Sequence, residues 1–289
     1  MRARPVEVDG LGGTLLEPEG TGPWPHALII AGSGPTDRDG NSVSGLRTNA
    51  YRLLAEALAG HGIATLRFDK RGIGASRAMA PPESAVTIET FIADAVKLAE
   101  WLWSRPNRSR VAVIGHSEGA LIGALMVQRV SVDRLVYLCG PGVSVGQTLR
   151  RQLGAPQLPE AFRAAARAAL DEFDATGVVQ TVPPELVSIF RPSVQPFLRS
   201  VWKLDPRAEL ERILDAGQRL MVIAGAKDIQ ISMEEAGHLF NLGRGQNTSV
   251  FATMSHTLKD ARGRSVQELY GNPDLPLVNG LAEEIAGFM

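Results

Sequence analysis

The chain has 289 residues, of which 44% are hydrophobic and 21% are charged, and its formal net charge is -1. This composition is typical of a globular protein, and the near-neutral charge offers no overall attraction to nucleic acid or to an anionic membrane. Cys139 is the single cysteine, so an internal disulfide is excluded. The sequence contains no run of about 18 apolar residues and no apolar leader of signal-peptide length. We therefore expect a cytoplasmic protein that does not span a membrane.

The first half of the chain alternates between strand and helix patterns. Two short segments separated by glycine, 5–10 and 13–18, predict an antiparallel pair of strands. The continuous apolar run at 26–32 predicts a strand buried on both faces, and further strands are predicted at 63–69, 110–115 and 134–140. Three segments with apolar residues at helical spacing predict helices: 48–60, 87–105 and 118–130. This alternation predicts a mostly parallel sheet flanked by helices.

The alternation stops after Gly142. From about 144 to 216 the sequence shows helical patterns with many prolines and no convincing strand. Strand and helix patterns then return, with strands predicted at 219–228 and 249–254 and helices at 234–243 and 276–289.

This break divides the chain into two predicted units. Residues 1–143 and 217–289 form an α/β core, and residues 144–216 form a helical cap, or lid, inserted into it. The alternative is two independent domains joined by a hinge. The like character of the strands on both sides of the break favours a single sheet.

A short polar turn interrupts the apolar pattern at residues 115–119, which read Gly-His-Ser-Glu-Gly. They match the G-x-S-x-G pattern, in which a serine occupies a sharp turn between a strand and a helix and the flanking glycines avoid a collision. Such a turn holds the hydroxyl of Ser117 at the end of the sheet, beside the free N–H groups of the helix start. The alternative is a glycine-rich turn whose serine only caps the helix.

With this turn in place, the chain resembles the α/β-hydrolase family over nearly its whole length. The resemblance rests on GHSEG, on FDKRGIGAS at 68–76, on IIAGSGPTDRDGN at 29–41 and on the helical insertion. Within the family, the sequence looks most like bacterial esterase-like hydrolases near the serine aminopeptidases. The resemblance implies the α/β-hydrolase fold, with a mostly parallel central sheet of about eight strands, flanking helices and a helical cap insertion.

The resemblance also implies a catalytic triad in the chain order serine, acid, histidine. A serine hydroxyl needs a base, and His256 fits this order because it follows the last predicted core strand. His116, next to the serine, is expected to pack beside the turn. Asp228 lies just beyond the penultimate strand, where the family places the acid that orients the imidazole. A helix-capping role is the alternative for Asp228, and Asp260 is a weaker substitute for it.

An oxyanion formed at Ser117 would need N–H donors. The resemblance places the first donor at the backbone N–H of Glu118 and the second in the loop after strand 26–32, where we nominate the N–H of Ser33. The histidine of the family motif is absent from this loop, so the family's side-chain support is missing while the backbone donor is kept. The polar segment 36–41 is expected to support the site as a hydrogen-bonded loop, and a polar surface turn is the alternative. A tight turn with no binding role is the alternative.

The carboxylate of Glu118 has two interpretations. A salt bridge to Arg71, Lys70 or Arg38 is preferred, because a buried carboxylate without a partner is costly. The other interpretation is that Glu118 selects cationic or amine-bearing substrates.

The predicted cap contains nine basic and nine acidic residues, so its overall charge selects no substrate class. Its apolar side chains predict an acyl or alkyl pocket over Ser117, with opening and closing of the cap as a further expectation. Some of these side chains are expected only to pack the cap against the core.

The sequence therefore predicts a serine hydrolase that cleaves carboxylic esters of small to medium size through an acyl-enzyme. An aminopeptidase or amidase, and an acyltransferase or thioesterase, remain open because all of them use the same intermediate. A non-catalytic binding protein on this fold is less favoured, because all three triad positions are filled. Metal-binding and nucleotide-binding motifs are absent, so we expect no cofactor and no metal. The expected partner is a small-molecule ester or amide, with no nucleic acid and no membrane, and the sequence leaves the oligomeric state open.

Overall fold

A computed structural model describes all 289 residues of the chain. Its strands, in chain order, are β1 (Arg2–Val8), β2 (Leu11–Glu17), β3 (Trp24–Ile30), β4 (Ala64–Phe68), β5 (Arg108–His116), β6 (Arg134–Leu138), β7 (Arg219–Gly225) and β8 (Gln246–Phe251). They form one eight-stranded sheet in the order β1-β2-β4-β3-β5-β6-β7-β8. The pairs β1–β2 and β2–β4 are antiparallel, and all the others are parallel. The mostly parallel sheet of about eight strands predicted from the sequence is confirmed.

The helices, in chain order, are α1 (Ala50–Gly60), α2 (Ile88–Trp103), α3 (Glu118–Met126), α4 (Val145–Leu153), α5 (Glu160–Thr176), α6 (Val187–Phe190), α7 (Gln195–Val201), α8 (Pro206–Asp215), α9 (Met233–Gly237), α10 (Val266–Gly271) and α11 (Leu281–Phe288). Three short 3₁₀ segments span Gly74–Met79, Glu83–Ala85 and Pro184–Leu186. No helix is long and apolar enough to cross a lipid bilayer.

Two apolar layers cover the two faces of the sheet, and the central strand β5 shows why its sequence is continuously apolar. Val111 and Val113 belong to the layer that contains α2 and α3. Ala112 and Ile114 point the other way, into the layer that contains α1 and α11. Because neighbouring residues of a strand face opposite sides, a strand buried on both faces needs apolar residues at every position.

Helices α4 to α8 occupy the chain between β6 and β7. Most of them surround a separate apolar cluster, in which the ring of Phe173 lies 4.5 Å from that of Trp202 and 5.8 Å from that of Phe190, centroid to centroid. Helix α8 differs from the rest of this segment. Its residues Leu210 and Ile213 pack into the main core layer on the side of α3.

The structure differs from the predicted elements mainly at their ends. Strand β8 ends at Phe251 rather than continuing to residue 254, so the following residues leave the sheet and lead into the loop that carries His256. The predicted helix at 234–243 is shortened to α9, and it is followed by turns with i→i+3 hydrogen bonds at 238–240 and by Asn241, which has a left-handed φ of 61°. The closing helix begins only at Leu281, after Gly280 with a φ of 86°. Glycine and asparagine adopt such φ values at low cost, and these two positions lie outside the regular helices.

Candidate active site

The turn between β5 and α3 holds Ser117 in an unusual backbone conformation, with φ 56° and ψ -124°. A non-glycine residue at positive φ is strained and persists only where its surroundings fix it. At this turn the fixing contacts come from backbone atoms packed closely against it. A Cβ on Gly115 would lie 2.2 Å from the carbonyl oxygen of Gly119, and a Cβ on Gly119 would lie 2.3 Å from that of Ile30. Only glycine fits at either position, which is the physical reason for the spacing read from the sequence.

Asp228 and His256 meet at the carboxyl end of the sheet, beyond β7 and β8. The Nδ1 of His256 lies 2.7 Å from Oδ2 of Asp228, and His256 is 5% exposed. The other carboxylate oxygen of Asp228 accepts the N–H groups of Gln230 at 2.7 Å and Ile231 at 2.9 Å. Burial opposes ionisation of Asp228, but His256 and these hydrogen bonds outweigh it and lower the pKa of the carboxyl group. The carboxylate is therefore ionised at neutral pH and fixed toward the imidazole.

The side chain of Ser117 forms no hydrogen bond to this pair. Its backbone N–H donates to the carbonyl of Leu138 at 3.0 Å, and its hydroxyl forms no hydrogen bond with His256. The ring of His256 lies 4.8 Å from that of His116, the residue preceding Ser117, centroid to centroid. Hydrogen bonds between a nucleophile and its base are often long until substrate binds. The structure thus joins the predicted acid and base, and the residue before the predicted nucleophile packs against the ring of the base.

Both predicted oxyanion donors border the same cavity as Ser117. Glu118 is the first residue of α3, so its N–H precedes the first intrahelical hydrogen bond. The N–H of Ser33 donates to no acceptor in the protein. The loop that carries Ser33 packs directly on the turn, since a Cβ on Gly32 would lie 3.1 Å from the Cβ of Ser117. Two free N–H groups thus flank the nucleophile.

Three side chains hold the loop that carries Ser33. The Nζ of Lys70 donates to the carbonyls of Gly32 and Gly34, both at 2.6 Å. The hydroxyl of Thr36 donates to the carbonyl of Ser33 at 3.0 Å, and the N–H of Gly32 donates to the hydroxyl of Tyr51 at 3.0 Å. The sequence predicted a supporting role for the polar segment 36–41, which contains Thr36, but it did not point to Lys70 or Tyr51. The available signal was a lysine two residues after the end of β4.

His116 links this loop to His256. The hydroxyl of Tyr51 lies 2.8 Å from Nδ1 of His116, and Nε2 of His116 lies 2.9 Å from the backbone carbonyl of His256. Because a carbonyl only accepts, Nε2 carries the proton, and Nδ1 accepts from the tyrosine. Burial, together with the positive charge that His256 can carry, lowers the pKa of His116 to about 3. His116 is therefore a neutral bridge at physiological pH, a role beyond the packing predicted for it.

The carboxylate of Glu118 borders the cavity and forms no salt bridge. The predicted pairing with Arg71, Lys70 or Arg38 is absent, because both arginines pair with aspartates of the core and Lys70 binds backbone carbonyls. Burial raises the pKa of Glu118, and the positive charge of Lys70 opposes this shift. The side chain of Glu118 thus has no salt-bridge partner within the protein.

The cavity beside Ser117 has a volume of about 640 Å³. Its lining includes Ser33, Ser117, Glu118 and Lys70. The inserted segment contributes apolar side chains, among them Val145, Leu149, Ile189, Phe197 and Leu198, and also polar ones, among them Thr148, Gln152, Ser188 and Arg191. A mixed lining of this kind suits a molecule with a reactive polar group and an apolar portion.

Comparison with known proteins gives one family match and several related esterases. Residues 45–181 match the family described as serine aminopeptidase, S33. Esterase EstD of Thermotoga maritima is 30% identical over 148 residues, which make up 51% of this chain and 34% of that protein. The match therefore spans about a third of that relative's length.

Two solved esterase structures have the same fold as this chain. Est1E of Butyrivibrio proteoclasticus has a TM-score of 0.60 at 16% identity, covering 100% of this chain and 98% of its own. An esterase of Pyrococcus furiosus also has a TM-score of 0.60 at 16% identity, covering 99% of this chain and 88% of its own.

The neutral bridge makes the stability of the protein depend on pH. The pKa of His116 is about 3 in the folded protein and 6.5 in a model peptide. Between these two pH values His116 is protonated in the unfolded state and neutral in the folded state. Its contribution to the free energy of unfolding is therefore fully present above pH 6.5 and is lost as the pH falls toward 3. Between pH 7 and pH 5 we expect the free energy of unfolding of the wild type to fall by about 2 kcal/mol more than that of His116→Gln.

Urea titrations at the two pH values measure this difference. Glutamine can still donate to the carbonyl of His256 and accept from Tyr51, but it does not titrate. The control is His238→Gln, at an exposed position, whose pH dependence should follow the wild type. An equal loss of stability in the wild type and His116→Gln would contradict a neutral buried imidazole.

Proposed function

Because the chain has the fold of solved α/β-hydrolase esterases and residues 45–181 match a serine aminopeptidase family, we propose that it is a serine hydrolase that cleaves carboxylic esters of small to medium size, with Ser117 as the nucleophile. One observation carries this proposal. The strained turn presents Ser117 to a cavity at the sheet edge where Asp228 holds His256, between two free backbone N–H groups.

In the first half of the proposed reaction, the enzyme is acylated. As the hydroxyl oxygen of Ser117 attacks the ester carbonyl, Nε2 of His256 accepts its proton. The carboxylate of Asp228 keeps the proton of His256 on Nδ1 and stabilises the imidazolium. The carbonyl oxygen becomes negatively charged and accepts hydrogen bonds from the N–H groups of Ser33 and Glu118.

In the second half, the acyl group is transferred to water. The imidazolium of His256 gives its proton to the departing alkoxide, and the acyl-enzyme on Ser117 remains. A water molecule then loses a proton to His256 and attacks the acyl carbonyl. The same donors hold the second oxyanion, and the proton returns to Ser117 as the carboxylic acid leaves.

Cleavage of an aminoacyl amide is the second candidate, favoured by a specific observation. Glu118 places an unpaired carboxylate in the cavity lining, where it could receive a substrate ammonium group. Parallel assays on nitrophenyl esters and aminoacyl anilides separate the two candidates. A higher kcat/KM on the esters supports the main proposal, and a higher value on the anilides supports the second.

We expect the triad variants to affect turnover in a graded way. Ser117→Ala should abolish both nitrophenyl ester hydrolysis and labelling by a fluorophosphonate, because the nucleophile is lost. Asp228→Asn should lower kcat about ten-thousand-fold, because the imidazole loses the partner that fixes its tautomer. Steady-state kinetics and mass spectrometry of the labelled protein measure both effects.

Asp260→Asn is the matched control for the acid. Asp260 also follows β8, but its carboxylate pairs with the exposed Arg262. This variant should hydrolyse the esters at a rate close to that of the wild type. Near-normal turnover in Asp228→Asn, or a large loss in Asp260→Asn, would remove Asp228 from the mechanism.

We further propose that residues 144–216 form a cap whose inner face accommodates the acyl group. Leu149 of α4 borders the cavity, whereas Leu153, one turn further along the same helix, does not. Both side chains pack on the aromatic cluster of the inserted helices. The two leucines therefore share a packing environment but differ in their access to substrate.

The leucine pair tests the pocket. We expect Leu149→Trp to lower kcat/KM for nitrophenyl decanoate at least tenfold relative to nitrophenyl butyrate, because the larger ring fills the space available to a long chain. Leu153→Trp, the control, should leave the ratio of the two substrates unchanged. Identical chain-length profiles in both variants would refute the assignment of the acyl pocket.

A further inference from the structure

We propose that Lys70 is a positioning residue of the oxyanion hole, and that its ammonium group orients and polarises the peptide group whose N–H is donated by Ser33. The inference rests on the proposed function, since it concerns the same hole. Lys70 gives the loop a charged restraint beside the neutral contacts of Thr36 and Tyr51.

The geometry of one peptide group carries the inference. The N–H of Ser33 and the carbonyl of Gly32 belong to the same planar, trans peptide, so the two groups point in opposite directions. Lys70 donates to that carbonyl at 2.6 Å. Fixing the oxygen at one end of the peptide therefore fixes the direction of the N–H at the other end.

The same contact strengthens the donor. A hydrogen bond from a charged group is shorter and stronger than one between neutral groups, and bonds in a chain polarise one another. With its carbonyl bound by an ammonium group, the peptide of Ser33 carries a more positive N–H. This effect favours the negatively charged oxygen of the intermediate over the neutral carbonyl of the ester, as transition-state stabilisation requires.

The loop needs such a restraint, because packing alone leaves part of it free. Gly34 has a φ of 74°, and a Cβ built on it would meet no atom within 4 Å. Lys70 binds the carbonyl of this glycine as well, at 2.6 Å. The two contacts of one ammonium group thus bracket Ser33 and replace the steric restraint that side chains would otherwise give.

The placement of Lys70 is costly for a residue with only a packing role. It is 4% exposed and forms no salt bridge, and burial lowers its pKa against the opposing charge of Glu118. Its side chain nevertheless borders the cavity together with Ser33 and Ser117. The buried ammonium group binds the carbonyl of the peptide whose N–H is the oxyanion donor, and it polarises that peptide more strongly than a neutral side chain would.

The test compares ligands that do and do not form an oxyanion. A trifluoromethyl ketone adds to the serine and places a negative oxygen in the hole, whereas the matching methyl ketone binds largely as the neutral carbonyl. In Lys70→Met we expect both the affinity for the trifluoromethyl ketone and kcat to fall by at least about tenfold. This loss should be smaller than the loss of up to about a thousandfold that follows deletion of an oxyanion donor. Methyl ketone affinity and KM should change less than twofold.

Two further variants keep the outcome clear. Lys70→Gln keeps an N–H donor but not the charge. It replaces Lys70→Met in the comparison of the two ketones if Lys70→Met does not fold. Lys259→Met is the matched control, because Lys259 is also a buried lysine bound to a backbone carbonyl, that of Leu275, outside the loop. It should lose stability with an unchanged ratio of the two ketone affinities.

The results separate failure of this inference from failure of the proposed function. Equal losses of affinity for the two ketones in the Lys70 variant, or a ratio that is also altered in Lys259→Met, would overturn the role of Lys70. A wild-type protein that neither hydrolyses esters nor binds the trifluoromethyl ketone more tightly than the methyl ketone would instead overturn the proposed function.

Discussion

The close approach of backbone to backbone around Ser117 is the constraint on which the site depends. Gly115, Gly119 and Gly32 each lie where a side chain would strike a neighbouring atom, and Ser117 itself is held at positive φ. The strain is sustained because β5 and α3 are fixed by the core on both sides of the turn. As a result, main-chain packing places the serine beside the free N–H of Glu118 and against the loop of Ser33, whose own conformation is held by side chains.

Around this rigid centre, the polar groups divide into two kinds. The bridge from Gly32 through Tyr51 and His116 to the carbonyl of His256 is uncharged, and burial keeps it so. The charged groups are Asp228, which contacts the imidazole of His256, and Lys70, which binds two carbonyls of the loop that carries Ser33. In the proposed mechanism, the neutral bridge sets distances, and the two charges stabilise the imidazolium and the oxyanion as they develop.

The sequence was most informative where local rules decide the structure. Apolar runs identified the strands, and the spacing of Gly115, Ser117 and Gly119 identified the turn, because both depend on neighbours in the chain. Asp228 and His256 could be nominated since the carboxyl ends of parallel strands meet at one edge of the sheet. The structure brings these two side chains into contact, and their catalytic roles remain proposals.

Other features depend on contacts that no local pattern encodes. Lys70 reaches a glycine 38 residues earlier in the chain, and Tyr51 reaches His116, 65 residues away. The prediction of a salt bridge for Glu118 was wrong because it too depends on contacts between residues distant in the chain. Its candidate partners are taken up by core aspartates and backbone carbonyls, and this competition is invisible in one sequence.

The most direct test of the central claim is a crystal structure of the protein after reaction with a nitrophenyl alkylphosphonate. The account predicts a bond from phosphorus to the oxygen of Ser117 and a phosphoryl oxygen about 2.7–3.1 Å from the N–H nitrogens of Ser33 and Glu118. It also predicts Nε2 of His256 beside the serine oxygen, with Nδ1 still bound to Asp228. Phosphorus on another residue, or an imidazole turned away while the phosphoryl oxygen faces solvent, would contradict the account.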